Sequence, residues 1–377
     1  MEFRGHSIEH LAGNCKYLEV AYLLINGELP AKQEAATWES EIQARMELQA
    51  AVSRLIRSFR YDSPPMGILV SALTALSTLD PLTKMPEGWD SDPKAVNALV
   101  YKLLGVLPVI AAAAFRHKIG RSIRLPRKDL PYIHNFLWML QAYPEAELHH
   151  SAKVLETMFI LQAEHELNCS TAAVRLLAYA EANVYSCIGV GASALYGRRH
   201  GAANEGAVRM LTQIGSQAAI PAFLARVKAR KAKLIGFGHR IYKSHDPRAA
   251  IAKSLLHSLT STDSPDPLVA LAYEVERQAL QDPYFTSRKL YPNVDFYSGL
   301  VYRRLGFKCE MFPVLFAMAL SAGWLAHWKE YVTSPRAEMY APLQLYAGKR
   351  QEPWVPPHCR ASEPQVTEGK ESFRPSR

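Results

Sequence analysis

Apolar residues recur along this chain at helical spacing. Val52, Leu55, Ile56 and Phe59 fall at i, i+3, i+4 and i+7, the stripe of an amphipathic helix. Val96, Leu99, Val100 and Leu103 repeat it behind Asp92-Pro93, a capping residue followed by a first-turn proline. Pro267 opens a third such stretch, with Leu268, Leu271 and Val275 on one face. Sustained period-two alternation is missing, so strands are expected to be few and short. The 24 prolines mostly punctuate helix ends, as at Pro64-Pro65, Pro126, Pro221 and Pro292, and no repeat of solenoid period breaks the pattern. The chain therefore reads as all-α. After Tyr346-Ala347-Gly348 the sequence turns polar and proline-rich, and a disordered tail is expected over 361–377.

Composition adds little to this until charge is considered. With 377 residues, 49% of them hydrophobic and 21% charged, the chain has the make-up of a soluble globular protein large enough for two lobes. The apolar stretch Phe312 to Ala326 is too short and too rich in small residues to favour a membrane span, so no membrane partner is expected. The N-terminus, MEFRGHSIEH, is charged and has no long apolar run, so no secretory signal is visible and a cytoplasmic protein is expected. Five dispersed cysteines (Cys15, Cys169, Cys187, Cys309, Cys359) form neither a disulfide framework nor a zinc spacing, and no metal is expected.

The net charge of +9 is unevenly placed. From Gly206 to His245 there is no acid, but there are eight bases: Arg209, Arg226, Lys228, Arg230, Lys231, Lys233, Arg240 and Lys243. Such a run calls for a polyanion or is a solvated helix face. Little aromatic residue is interleaved and no binding module is recognisable, which argues against nucleic acid. A phosphate-bearing small molecule fits better.

Three glycine- or proline-marked loops carry the candidate chemistry. GRRHGAANEGAVRM at 197–210 sets His200 among small residues just before a helix-forming run. GFGHRIYKSHDPR at 236–248 adds His239 in a second glycine loop, and YPNVDFYSG at 291–299 adds Asp295 after a proline turn. Small residues let a backbone and a ligand approach an imidazole closely. The 197–210 loop alone reads as a helix connection with a satisfied histidine. Asn204 and Glu205 read as caps for the next helix, and His165 and His245 as structural or surface histidines.

Together these stretches resemble the citrate synthase family along nearly the whole chain. The likeness starts at FRGHSIEHLA and LEVAYLLINGELP and continues through SPPMGILVSAL and FILQAEHELNCST. GRRHGAANE, GFGHRIYKSHDPR, YPNVDFYSG, AGWLAHW and QLYAG then follow in family order. The resemblance implies an all-α homodimer with its active site in a cleft between two helical domains. Residues 1–201 and 306–360 would form the large domain and 202–305 the small one. It also implies condensation of an acyl-CoA with a 2-oxo acid, usually oxaloacetate, followed by thioester hydrolysis, with no cofactor beyond the thioester. By motif match, Asp295 is the base that removes a proton next to the thioester. His200 is the group at the thioester oxygen, and His239 polarises the keto group. Arg248 holds a carboxylate of the oxo acid. Lys243 and the Gly236–Gly238 loop serve CoA.

The departures concern the oxo acid. Where the family has a histidine in contact with that acid, this chain has Gln162. Two family arginines are replaced by Leu320 and Ala341, while Arg198 and Arg199 are added beside His200, with Arg199 a candidate replacement contact. Losing a partner of a buried charge typically costs about 2–5 kcal/mol. The expectation is an acyltransferase of altered specificity, of the kind that makes alkylcitrates in specialised metabolism. The rival expectations are a non-catalytic paralogue that binds CoA or a partner, and an ordinary citrate synthase.

Overall fold

The fold was analysed in a computed structural model describing residues 1–81, 89–140, 148–197, 200–260, 266–335, 343, 345–348 and 353–360. The chain divides into a unit Met1–Tyr340 and a C-terminal unit Ala341–Arg377. The only strands among the described residues are a hairpin of β1 (Glu2–Phe3) and β2 (His6–Ser7). Its turn is made by Arg4 and Gly5 with φ of 49° and 84°, the left-handed pair that a two-residue hairpin needs.

The longer elements among the described residues are all helical. The N-terminal run comprises α1 (Ile8–Asn14), α2 (Tyr17–Asn26), α3 (Lys32–Gln43), α4 (Ala50–Ser58), α5 (Pro65–Leu79) and α6 (Pro93–Lys118). There follow α7 (Tyr132–Leu140), α8 (Leu148–Leu161), α9 (Cys169–Tyr179), α10 (Val184–Tyr196), α11 (Ala203–Ile214) and α12 (Ile220–Lys228). The last are α13 (Pro247–Thr260), α14 (Pro267–Gln281), α15 (Pro283–Thr286), α16 (Val294–Arg304) and α17 (Phe312–Val332). The sequence signals lie where expected. Asp92 caps α6 by accepting from the Lys94 N–H, Asp266 does the same for α14, and Val52 and Ile56 of α4 are fully buried.

Helix α17 is the axis of the larger helical cluster, packed against α2, α5, α6, α8, α9 and α10. Its ladder is opened where it matters. Gly323 N–H donates to the Ala163 carbonyl at 3.0 Å, and the Tyr17 hydroxyl lies 3.0 Å from the carbonyl of Ala319, the residue four positions before Gly323. Helix α6 shows the same device: Pro108 has no N–H for the Leu104 carbonyl, and the Tyr132 hydroxyl supplies the missing donor at 2.8 Å. By length and composition, Pro93–Lys118 and Cys309–Val332 could each cross a membrane, a longer pair than the Phe312–Ala326 stretch suggested. Their apolar windows are 83% and 78% buried inside the fold, as core helices are.

Helices α11 to α16 form a second cluster, in which α16 packs on α11 and α13 and α14 packs on α11 and α12. Helix α1 touches both α8 and α13, joining the clusters. Among its described residues the C-terminal unit has one short 3-10 turn, Pro357–Cys359, and exposes Leu343, Leu345, Tyr346 and Trp354. The tail over 361–377 lies outside the described residues.

Candidate active site

The glycine loop and the proline turn are laced together by backbone. Gly236 C=O accepts from the Asn293 N–H at 2.8 Å, Gly238 N–H donates to Tyr291 at 2.7 Å, and Asn293 Nδ2 donates to Gly238 at 2.8 Å. Gly236 sits at φ 84°, and a Cβ there would stand 2.8 Å from the Cα of Phe296, so only glycine allows this approach. The result sets His239, three residues on from Gly236, beside the start of α16. Asn293 then caps α16 by accepting from the Asp295 N–H at 2.9 Å.

The charge of this corner is fixed by one buried pair. Arg248 donates through Nε and a terminal nitrogen to both oxygens of Asp246, at 3.0 and 2.9 Å, and both residues are almost wholly enclosed. Asp246 also accepts from the Val294 N–H at 3.0 Å, tying the pair to the helix that carries Asp295. Burial works against the Asp246 charge, but Arg248 holds its carboxyl below the usual range. Asp295 has no such bond. Burial pushes its carboxyl up to about 6, against the pull of Arg248 and with help from Asp246.

His239 has a defined proton. Its Nδ1 accepts from the N–H groups of Ile241 and Tyr242 at 3.1 and 3.3 Å, which leaves Nε2–H as a donor. Tyr242 stacks on the ring at 4.6 Å, and burial followed by Arg248 lowers the imidazole pKa.

His200 is presented differently. Its Nε2 lies 2.9 Å from Ser170 Oγ and 3.4 Å from the Ser170 N–H, and Ser170 is braced by the Trp324 indole at 3.1 Å. The Ser170 N–H can only donate, so Nε2 accepts and the proton belongs on Nδ1. Burial lowers this pKa too, in keeping with an unprotonated Nε2. Helix α11, which begins three residues later, meets α16 at a bare crossing: a Cβ on Gly299 would stand 2.6 Å from the Asn204 carbonyl. That contact brings the His200 segment onto the face that bears Asp295, four residues before Gly299.

Sequence reasoning missed a fourth group. His165, expected to be structural or on the surface, is half-buried with its ring 5.0 Å from His239 and 5.7 Å from Tyr242. Burial, then Arg248, drives its pKa down to about 4, and its Nε2 is buried without a partner. The signal was hidden because the ring contact spans a long stretch of sequence. Gln162, placed by motif where a histidine would touch the acid, is fully buried and accepts from the Tyr302 hydroxyl at 2.6 Å through Oε1. The histidine of that turn that faces His239 is His165.

The caps also differ. Ala202, not Asn204, caps α11 and makes no side-chain bond; Asn204 Oδ1 accepts from the Glu205 N–H within the first turn, and Glu205 pairs with Arg209. His245 is exposed beside Tyr291, as expected.

Leu320 is fully buried on the α17 face that includes Phe316, 6.2 Å from the His200 ring, and Gly323, bonded to Ala163. A leucine between those neighbours offers an apolar wall. Arg198, Arg199 and Ala341 lie outside the described residues.

The basic stretch borders a cavity of about 540 Å³ between α11, α12 and the strand of chain before Gly236. Met210, Ile214, Phe223 and Ile235 line it, with Arg209, Arg226, Lys231 and Lys233 at its rim. Lys243 is exposed, its Nζ on the Arg240 carbonyl at 2.7 Å. Among the described residues no group of three His, Cys, Asp or Glu is placed to hold a metal.

A half-buried carboxyl of raised pKa, neutral imidazoles with fixed protons and one buried guanidinium suit proton abstraction next to a carbonyl followed by carbon attack. The family model for the C-terminal domain of citrate synthase matches residues 1–341. A peroxisomal citrate synthase of Dictyostelium discoideum is 45% identical over 362 residues, spanning 94% of this chain and 74% of that one. A glyoxysomal citrate synthase of Cucurbita maxima is 42% identical over 377 residues, spanning 96% and 71%. These two names give an organelle, whereas the charged N-terminus here suggested the cytoplasm. The crystal structure of citrate synthase from Pyrobaculum aerophilum superposes with a TM-score of 0.85 at 33% identity, covering 95% of this chain and 89% of that one. A ternary complex of the Thermoplasma acidophilum citrate synthase with carboxymethyl coenzyme A and oxaloacetate gives 0.85 at 28% identity, covering 94% and 92%. This chain, matched along nearly its whole length in sequence and in fold, belongs to the citrate synthase family.

Proposed function

We propose that the protein condenses an acyl-CoA with a 2-oxo acid and releases CoA by hydrolysis. The observation that carries this is the raised pKa of Asp295 in a backbone-laced corner with two neutral, proton-defined histidines. Asp295 takes the proton from the carbon next to the thioester, and the His200 Nδ1–H donates to the thioester oxygen as negative charge gathers there. The enol carbon attacks the keto carbon, whose oxygen receives a hydrogen bond from His239 Nε2–H. Arg248 holds the acid's carboxylate through the N–H groups that Asp246 leaves free, and the unpartnered His165 Nε2 offers another contact. Water then splits the thioester to the free acid and CoA thiol. The chemistry asks for no cofactor other than the thioester. The span 202–305 serves as the small domain, and the apolar residues exposed on the C-terminal unit support a homodimer.

Two finer points follow from the lining. Leu320 cannot pair with a carboxylate, so the favoured acid is monocarboxylic or bulkier; with a long acyl chain the product is of the alkylmalate type from a monocarboxylic acid and of the alkylcitrate type only from a dicarboxylic one. Thiol release by the purified protein across a matrix of acyl-CoAs and 2-oxo acids tests both. We expect release with at least one pair and poor use of oxaloacetate, improved by Leu320→Arg. No release with any pair would favour a non-catalytic paralogue. Efficient citrate formation from acetyl-CoA and oxaloacetate would remove the altered specificity.

The rim cations of the 540 Å³ cavity support its reading as the site of the nucleotide end of CoA. CoA is expected to bind more tightly than dephospho-CoA, with an advantage that shrinks between low and physiological salt. Calorimetry at two ionic strengths reads this directly; equal, salt-independent affinities would leave the rim as a solvated surface.

A further inference from the structure

Helix α16 carries more than the base. Asp295, Gly299 and Tyr302 fall at i, i+4 and i+7, one stripe along the helix. Gly299 meets α11, while Tyr302 at the far end donates its hydroxyl to Gln162 Oε1 at 2.6 Å. Gln162 follows directly on α8 and opens the turn that presents His165. Asn293 on Gly236 and Gly238, Asp246 on Val294, Arg303 on Asp266 and Arg304 on Leu259 all stay within residues 202–305. The Tyr302–Gln162 bond leaves that set and reaches the α8 side. Both partners are fully buried, so water has no access to replace the bond. Gln162 Nε2 is buried without a partner, so the amide is held through its oxygen.

We propose that Tyr302 and Gln162 are a positioning pair, whose hydrogen bond sets the stand-off between the Asp295 carboxylate and the His165 turn. It governs turnover, not the affinity for either substrate, because it touches the elements that carry the reacting groups and not the groups themselves. This rests on the reading of Asp295 as the base. A purely structural bond would alter melting and leave the kinetics of the folded protein alone.

The test uses the full chain with Tyr302→Phe, Gln162→Met and the double variant, on the best substrate pair from the thiol-release matrix. We expect kcat to fall roughly 10- to 100-fold in each single variant, as a small misplacement of reacting groups does. Both KM values should stay within about threefold, and the double variant should be no slower than the slower single one, the mark of a coupled pair. Singles with kcat within twofold of the parent, or losses that multiply in the double variant, would overturn the proposal. So would a loss confined to KM for the 2-oxo acid in Gln162→Met, which would make Gln162 a substrate contact. Should Tyr302→Phe fail to fold, Gln162→Glu keeps an acceptor for the hydroxyl and should retain more turnover than Gln162→Met; equal rates would count against the pair. Asp295→Asn separates the two readings, since unchanged turnover there defeats the base assignment whatever the pair does.

Discussion

Replacing Asp295 by asparagine should slow condensation roughly 10²–10⁴-fold, the usual scale for a positioned acid or base. The same change should make the protein more stable at alkaline pH. A carboxyl whose pKa rises on folding, here from 3.8 to about 6, favours the folded state only while protonated. Its contribution is whole below the unfolded value and is lost as pH climbs through about 6, to a limit of about 3 kcal/mol. Asparagine has nothing to lose. The variant should therefore melt higher than the parent at pH 8, with the gap closing towards pH 4. In the parent, turnover should fall as pH drops through about 6, because the base must be ionised to act. A variant with parental turnover and a pH-independent melting difference would strip Asp295 of both roles.

Arg248→Met should be the most damaging single change to stability in the site. It leaves the Asp246 carboxylate 2% exposed with its counter-charge gone. Breaking a buried pair on one side typically costs about 3–5 kcal/mol. Denaturant titration reads this, and the double change Arg248→Met with Asp246→Asn should recover a good part of it. Catalysis should not recover, since the guanidinium proposed to hold the oxo acid is absent in both. A single variant as stable as the parent, or a double variant with restored kcat/KM, would contradict the assignment.

The helices were legible because their signals are local. Asp92-Pro93 and Asp266-Pro267 each put a side-chain acceptor and a proline where a helix must start, and α6 and α14 start there. The hairpin at Arg4-Gly5 escaped because two-residue strands are too short for any alternation to show. His200, His239 and Asp295 could be named from their loops, yet which nitrogen of each imidazole holds the proton depends on Ser170 and on the Ile241 and Tyr242 amides. His165 and Tyr302 were beyond a linear reading. The first gains its meaning from a ring contact with His239, the second from a bond to Gln162, and both contacts join segments far apart in the chain.

The bare crossings have a bearing on how this protein could be altered. At Gly236, Gly299 and Gly323 an added Cβ would meet, respectively, Phe296, the Asn204 carbonyl and the Ala163 carbonyl, so main chain lies against main chain at each join. The side chains of Phe296, Val208 and Glu164 stand there too, but trimming them leaves the backbone contact in place, and no side chain can be added at the glycines without prising the joined segments apart. Room for a larger substrate can thus be made only from side chains that line the space, with Leu320 the clearest handle. Directed evolution of substrate range should leave these three glycines untouched and collect its gains at such lining positions.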